Sequence, residues 1–566
     1  YSWQAGLNKF DGAFDSIARV PMDDLHQRRQ TFELLLDSIA KTPTFENPKT
    51  IRDIEVLQAG YLIENIDLAF EAWHRHPLEK RAGFADFYNF ILPYRNNNEP
   101  LEPHTRKKFM KTYGWAFDSL QAGVPLKSVA DTIIQAFGFK GMGTIRAKYP
   151  IPLSISQFEK CRMGLCNDEV NYFVNLFRAI GISSSEEFIP RYGNSYSTGH
   201  SFFRLEYGNE IYCVGDLREI YKEESIPKVY RRTYSKNRTV AGDVCFYIDV
   251  TTEYKPTIDV AIDVVFNKPP NHSRPVLCVF YQREQWFKVS EGIHKNNKFL
   301  FNRIGTNVLY LPAYYSSGQL YAVNYPFFVL FDKTIHYWKP QTELQDSIIL
   351  LRKTGSKRPR GKSRMHWLDS LDTGIFQGAN NPCFKNAQVL AEINNLNSTH
   401  PQLVAVNNVH PFQYVRFCAN GRISFLSLLE FLSPQGEKLT GKVIKSNTRE
   451  FKWKDGAFDD DPLTYSGGED FTLGLKLDKP QPIGFIRFQS RNDDNHIRIG
   501  DQYELLFWEK GWKSLGSRVA TDTLLVYHDI AKNSLLWLRN LTRGKEENVF
   551  VMDKNGEQDF LGFCKE

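Results

Sequence analysis

Apolar residues along this 566-residue chain recur at two different periods, and the change between them divides it. Over residues 1–145 the spacing is helical. Ile54, Leu57, Tyr61, Leu62, Ile66, Ala69 and Phe70 fall near a 3.6-residue repeat, and so do Phe84, Phe87, Phe90 and Ile91. Leu92-Pro93-Tyr94-Arg95 ends that run, because a proline disfavours helical geometry at the residue before it. Residues 146–238 mix one clear helix with strands. From Thr239 onward the period is two: Val244-Phe246-Ile248-Val250, Val276-Cys278-Phe280 and Ala322-Asn324-Pro326-Phe328-Leu330 predict a β-sandwich over residues 239–350. A basic linker over 351–367 follows. Alternation then returns over 368–566, as in Tyr414-Arg416-Cys418, Ile423-Phe425 and Tyr503-Leu505-Phe507. The expected class is multidomain α+β: a helical N-terminal region packed on an α+β core, then β domains.

The helix of the middle region carries the candidate chemistry. Starting at Cys166, apolar residues fall at Val170, Phe173, Val174, Phe177 and Ile180, and Gly181 supplies a stop. Cys166 is therefore expected at the N-terminal turn, where unpaired N–H groups and the helix dipole favour an anion. That placement predicts a lowered thiol pKa and a nucleophile, with the same N–H groups available to an oxyanion. Cys161, five residues upstream, is a rival thiol without a helix start.

His200 opens an alternating strand, Ser201 to Tyr207, after a Gly-rich turn. Gly208-Asn209 reads as a two-residue hairpin, so the returning strand Glu210–Val214 brings Asp216 beside His200. A carboxylate there orients the imidazole and stabilises its charged form. His–Asp adjacency follows from this geometry; the meeting of Cys166 with His200 does not.

Composition narrows the classes. With 71 basic against 65 acidic residues the net charge is +6, too mild to argue for nucleic acid. Apolar stretches such as Tyr325–Phe331 fall well short of the ~18–20 residues a membrane span needs. Eight cysteines without a CxxC pair argue against zinc. Cys213, Cys245 and Cys278 read as buried structural thiols. Cys383 and Cys564 bracket the last third of the chain, with a disulfide as one option. His74 and His76 are expected to be exposed at a helix end, and no metal or cofactor is expected. Residues 352–364 hold seven basic side chains and no acid; they read as a solvated linker, with a polyanion contact as the alternative.

Gly164-Leu165-Cys166-Asn167-Asp168, the helix end Arg178-Ala179-Ile180-Gly181-Ile182, Gly199-His200-Ser201-Phe202 and Asp216 together resemble the core of the transglutaminase-like superfamily. The resemblance covers about residues 150–235. It implies a papain-like arrangement, in which Cys166 is the nucleophile, His200 the general base and acid, and Asp216 the orienting acid. Phe202 and Phe203 stand where a tryptophan often follows the histidine. Tyr61–Asp67, Leu92–Arg95 and Lys228–Ser235 resemble stretches of large exported transglutaminase-like proteins of Bacteroidetes, which implies a periplasmic or cell-surface lipoprotein whose signal segment has been removed. Phe458-Asp459-Asp460-Asp461 resembles the start of a discoidin-like (galactose-binding-like) sandwich, with Asp460 in place of the usual glycine. One or two such sandwiches would fill the C-terminal region. Such modules often bind glycans, which makes Trp508 and Trp512 candidate glycan contacts, with core packing as the other reading. Asp459, Asp460 and Asp461 read as a solvated turn, with calcium ligation as the alternative.

The expected activity is thiol-dependent acyl transfer: hydrolysis, or transamidation, of an amide in a peptide or glycopeptide. Bacterial members of the family point to a protease or amidase. A transglutaminase-like core also occurs in deglycosylating enzymes, so a glycan-linked amide is a further option. The rival from another class is an inactive surface or periplasmic protein whose β domains bind glycan or a partner.

Overall fold

A computed structural model describes residues 11–21, 25–40, 52–141, 149, 151–194, 199–213, 225–240, 242–270, 273–282, 285–355, 371–394, 396, 401–407, 410–419, 423–445, 456–461, 464–469, 471–491, 496–544 and 547–562. About 21% is helix and 41% strand, with many separate antiparallel sheets, as a multidomain α+β chain requires. Two compact units emerge. The first comprises Tyr1–Arg191, Thr198–Glu219 and Lys228–Lys255, and the second Tyr192–Ser197, Ile220–Pro227 and Pro256–Glu566. No helix among the described residues is long and apolar enough to cross a membrane.

In the first unit a short parallel pair, β1 (Lys140–Gly141) and β2 (Met163–Gly164), precedes the main sheet. That sheet is built from β3 (Ser183–Ile189), β4 (His200–Tyr207), β5 (Glu210–Cys213), β6 (Tyr230–Arg238) and β7 (Val244–Asp249), in the order β5-β4-β3-β6-β7 and antiparallel throughout. The Cys166–Ala179 helix lies on one face, and the stripe read from the sequence is what buries there. Phe173 and Phe177 meet the Phe203 ring at 5.4 and 6.0 Å, and Val170, Val174 and Leu205 are all essentially inaccessible. The N-terminal helices contribute to the same core through Phe14, Phe32, Phe109 and Ile133.

Two buried arginines secure the far end of that helix. Arg178 donates to the Ser184 and Arg95 carbonyls at 3.0 and 2.8 Å, and Arg106 donates to the Arg178, Ile91 and Pro93 carbonyls at 2.8, 2.8 and 3.1 Å. The Leu92–Arg95 stretch is thereby tied to the helix C-terminus. His76 joins this region, contrary to the exposed position expected for it: it is 2% exposed and its Nε2 lies 2.7 Å from the Ile180 carbonyl. The Ala59–Arg75 helix ends just before it, so the imidazole turns inward, stacked on Phe117, while His74 stays exposed. Burial lowers the His76 pKa.

The Val244–Asp249 run is a strand, as its period predicts, but it pairs with β6 and completes the sheet of the first unit. Its apolar residues Val244, Phe246 and Ile248 are 55, 45 and 38% exposed, whereas Cys245 is buried. Alternation identifies a strand without saying which sheet it enters or which face is covered.

The second unit is almost wholly β. A sheet of strands 275–281, 285–291, 308–316, 319–322, 327–329 and 335–337 faces a three-stranded sheet of 257–263, 293–295 and 298–305 across one apolar core. Further along, a five-stranded sheet (375–379, 388–392, 411–418, 441–445, 472–482) and a four-stranded sheet (402–405, 423–432, 466–469, 485–490) enclose a second core around Phe376, Phe417, Leu429 and Phe488. Asn194, just upstream of His200 in sequence, is buried in this unit, donating to the Val549 and Leu561 carbonyls at 2.9 and 2.8 Å.

Candidate functional site

Cys166 is the first residue of its helix, because Leu165 before it is still extended and Asp168 holds the turn. The Asp168 carboxylate, 1% exposed, accepts the Leu165 and Leu153 amides at 2.9 Å each, so it satisfies one of the helix's otherwise unpaired donors. Gly164 is required by this arrangement: a Cβ there would lie 2.7 Å from Asp168 Oδ2. The Cys166 sulfur is half-buried. It lies 3.4 Å from Asn167 Oδ1, and the Ser201 backbone amide is within hydrogen-bonding reach.

Those surroundings correct one expectation. Burial pushes the Cys166 thiol above its ordinary pKa; the Ser201 and Asn167 amides oppose the rise, and the Glu169 and Asp168 charges add to it. The helix-start argument omitted the cost of desolvating an anion and the two acids in the first turn. The resting group is a thiol. Cys161 is more strongly suppressed, being fully buried at the end of the preceding helix, with its pKa pushed up to about 12.

His200 is the first residue of β4, paired with Ile189 of β3. Gly199 makes that pairing possible, since a Cβ would come within 2.1 Å of the Ile189 carbonyl oxygen and 2.6 Å of that of Pro190. The His200 ring stacks on Phe202 at 6.0 Å, and Phe202 in turn meets Tyr254 edge-on at 5.4 Å. The sheet therefore brings the Cys166 sulfur to the residue next to His200. The hairpin is also present as read, with Tyr207 opposite Glu210 and Arg204 opposite Cys213. Asp216 lies outside the described residues.

A carboxyl that the sequence reading passed over sits beside the thiol. Glu169 is one turn along the helix from Cys166, and its charge acts on both Cys166 and Tyr212 of β5, placing it near both. Burial raises its pKa to about 7. The signal was available in the i, i+3 spacing from Cys166, which puts both side chains on one face of the first turn. Tyr212 donates to Asp131 Oδ1 at 2.7 Å.

The remaining sequence candidates are two tryptophans, an acidic turn and the other cysteines. Trp508 is 4% exposed and sits in a ring cluster, 5.4 Å from Trp286 and 5.3 Å from Trp512; Trp512 also meets Trp537 at 5.4 Å. Trp508 is enclosed and Trp512 partly so, and both rings contribute packing area to a core, the other reading given for them. In the acidic turn, Asp459 accepts from Thr464 Oγ1 at 2.8 and 2.7 Å, and Asp460 pairs with Lys438 at 2.9 Å. Asp460 has φ +58°, a left-handed conformation that favours glycine. Among the described residues no three His, Cys, Asp or Glu side chains gather as around a metal. Cys213, Cys245 and Cys278 are buried free thiols and Cys383 is an exposed one; Cys564 and most of the basic stretch lie outside the described residues. No family model, no curated protein and no solved structure matches the chain.

Proposed function

We propose that this protein is a thiol-dependent acyl-transfer enzyme that hydrolyses an amide bond of a peptide or glycopeptide. The observation that carries the reading is the position of the Cys166 sulfur: at the first residue of a helix and against the backbone of Ser201, the residue that follows His200 in β4. Because burial keeps the resting thiol protonated, His200 acts as a general base at the moment of attack. The S–H proton passes to the imidazole as sulfur bonds to the carbonyl carbon. The C–N bond then breaks, and the departing amine takes that proton. Water attacks the thioester, giving the carboxylic acid and regenerating the thiol. An oxyanion forming on the acyl carbon would draw on the N–H groups at the helix start. By resemblance, Asp216 orients the imidazole. The β domains of the second unit would dock the target, and the family resemblance favours an exported setting.

The raised thiol pKa favours the alternative, a catalytically inactive binding protein that retains the cysteine. Alkylation by iodoacetamide at pH 7.5, read by peptide mass spectrometry, separates the two. Cys166 is expected to label at least about 10-fold faster than exposed Cys383 in the same chain, and Cys166→Ala removes that fast site. Labelling of Cys166 no faster than Cys383 would mean the thiol is not activated, and the enzyme reading fails.

A further inference from the structure

Two consecutive glutamates of β3, Glu186 and Glu187, are 2 and 0% exposed and point to opposite faces of the sheet. Each pairs across to β6: Glu186 accepts from Arg232 Nε and Glu187 from Arg231 Nε, both at 2.6 Å. The pairs differ in what else they hold. Glu187 and Arg231 join Glu253, Arg204 and Tyr254 in a network on the Phe202 face. Glu186 lies on the face that carries the Cys166 helix. Its Oε1 accepts the Ser201 hydroxyl at 2.9 Å, and its Oε2 accepts Arg232 together with the Asn96 and Asn97 side-chain amides at 3.4 and 3.3 Å. Asn96 also donates to Asn171 Oδ1 of that helix at 2.8 Å.

Ser201 thus has two separate attachments. Its backbone meets the Cys166 sulfur, and its hydroxyl is held by a buried carboxylate on which two distant segments converge. A hydroxyl bonded to a charged acceptor is among the stronger hydrogen bonds available. A strand's first residues are the ones that fray, so a side-chain tether there restricts the rotation of β4 about its own axis.

We propose that Glu186 is a positioning residue for the thiol site: through the Ser201 hydroxyl it fixes the start of β4, and with it the Ser201 amide against Cys166 and the backbone position of the adjoining His200. The role rests on the reading of Cys166 as a nucleophile served by His200. Arg232, Asn96 and Asn97 hold the carboxylate in turn. The Leu92–Asn97 and Lys228–Ser235 stretches therefore act on the site without touching substrate.

The test is the iodoacetamide rate at Cys166 of the full chain between pH 6 and 10, in wild type, Ser201→Ala, Ser201→Thr and Glu186→Gln. Ser201→Ala and Glu186→Gln should each slow labelling near neutral pH about 10-fold and displace the profile to higher pH. Ser201→Thr, which keeps the hydroxyl, should stay within about twofold of wild type. A general loss of packing would not spare the threonine variant. If Glu186→Gln does not fold, Ser201→Ala carries the test, since it removes one hydroxyl. A folded Ser201→Ala protein whose profile overlays an activated wild-type profile overturns the positioning role alone. A wild-type profile without any neutral-pH reactivity overturns the nucleophile reading beneath it.

Discussion

The two faces of the five-stranded sheet in the first unit carry the same kind of cross-strand ion pair, put to different uses. On the Phe202 face, Glu187, Arg231, Glu253 and Arg204 bond chiefly to one another, and the network braces β3, β4 and β6. On the helix face, Glu186 spends one carboxylate oxygen on Ser201, whose backbone reaches the thiol. Composition does not separate these roles, since Glu186-Glu187 and Arg231-Arg232 are duplicated dipeptides. Attachment does. The lesson is that a buried ion pair becomes part of a site only where one partner's remaining valence is given to a residue of that site.

Substitutions on the two faces should therefore separate stability from thiol reactivity. The largest stability effect belongs to Glu187→Gln. At pH 8, where Glu187 is ionised although burial pushes its pKa up to about 7, the substitution leaves the buried Arg231 guanidinium with one carboxylate instead of two, and removing a partner from a buried pair typically costs about 3 kcal/mol. Denaturant unfolding of the variant should show that loss, with the Cys166 labelling rate within about twofold of wild type. A comparable fall in labelling would dissolve the distinction between the faces.

A smaller effect, of opposite sign, is expected next to the thiol. The Glu169 pKa of about 7 lies above its ordinary value, so the folded protein tolerates the protonated form better than the carboxylate. Its contribution to stability is complete at pH 4, declines as pH rises through the ordinary carboxylate range, and is lost above about 7. Glu169→Gln should accordingly raise the Tm at pH 8 and leave it nearly unchanged at pH 4.5. Removing the charge should also speed Cys166 labelling at pH 8 a few-fold, because the carboxylate opposes the thiolate. A Tm difference independent of pH would mean that Glu169 ionises normally.

Much of this unit was legible before its structure. The stripe Val170, Phe173, Val174 and Phe177 states both the helix and the face it buries, and Gly208-Asn209 states the hairpin that sets the β4–β5 register. What could not be read shares a cause: local pattern says little about what a third element covers. Trp508 and Trp512, candidate glycan contacts by resemblance, pack into a core shared with another sheet, Trp508 fully and Trp512 in part. Val244, Phe246 and Ile248 alternate like a core strand and are exposed. Two acids in succession, Glu186 and Glu187, look like a solvated step, yet arginines more than forty positions away pair with both. The same blindness affected the thiol, because a helix start favours the anion while the burial that opposes it is supplied by the fold. The resemblance motifs Leu92–Arg95 and Lys228–Ser235 were visible, but their convergence on Glu186 and on the helix end was not.

The central claim is that His200 turns a half-buried, protonated Cys166 into a nucleophile. It is tested most directly by the pH–rate profile of Cys166 alkylation in wild type and in His200→Ala. A base that supplies about 10²-fold or more should give wild type a reactive plateau around neutral pH, well below the range in which an unassisted thiol reacts. His200→Ala should lose the plateau and react only above the ordinary thiol range of about 8.5. Superimposable profiles, both rising only at high pH, would contradict the account and leave Cys166 a structural thiol.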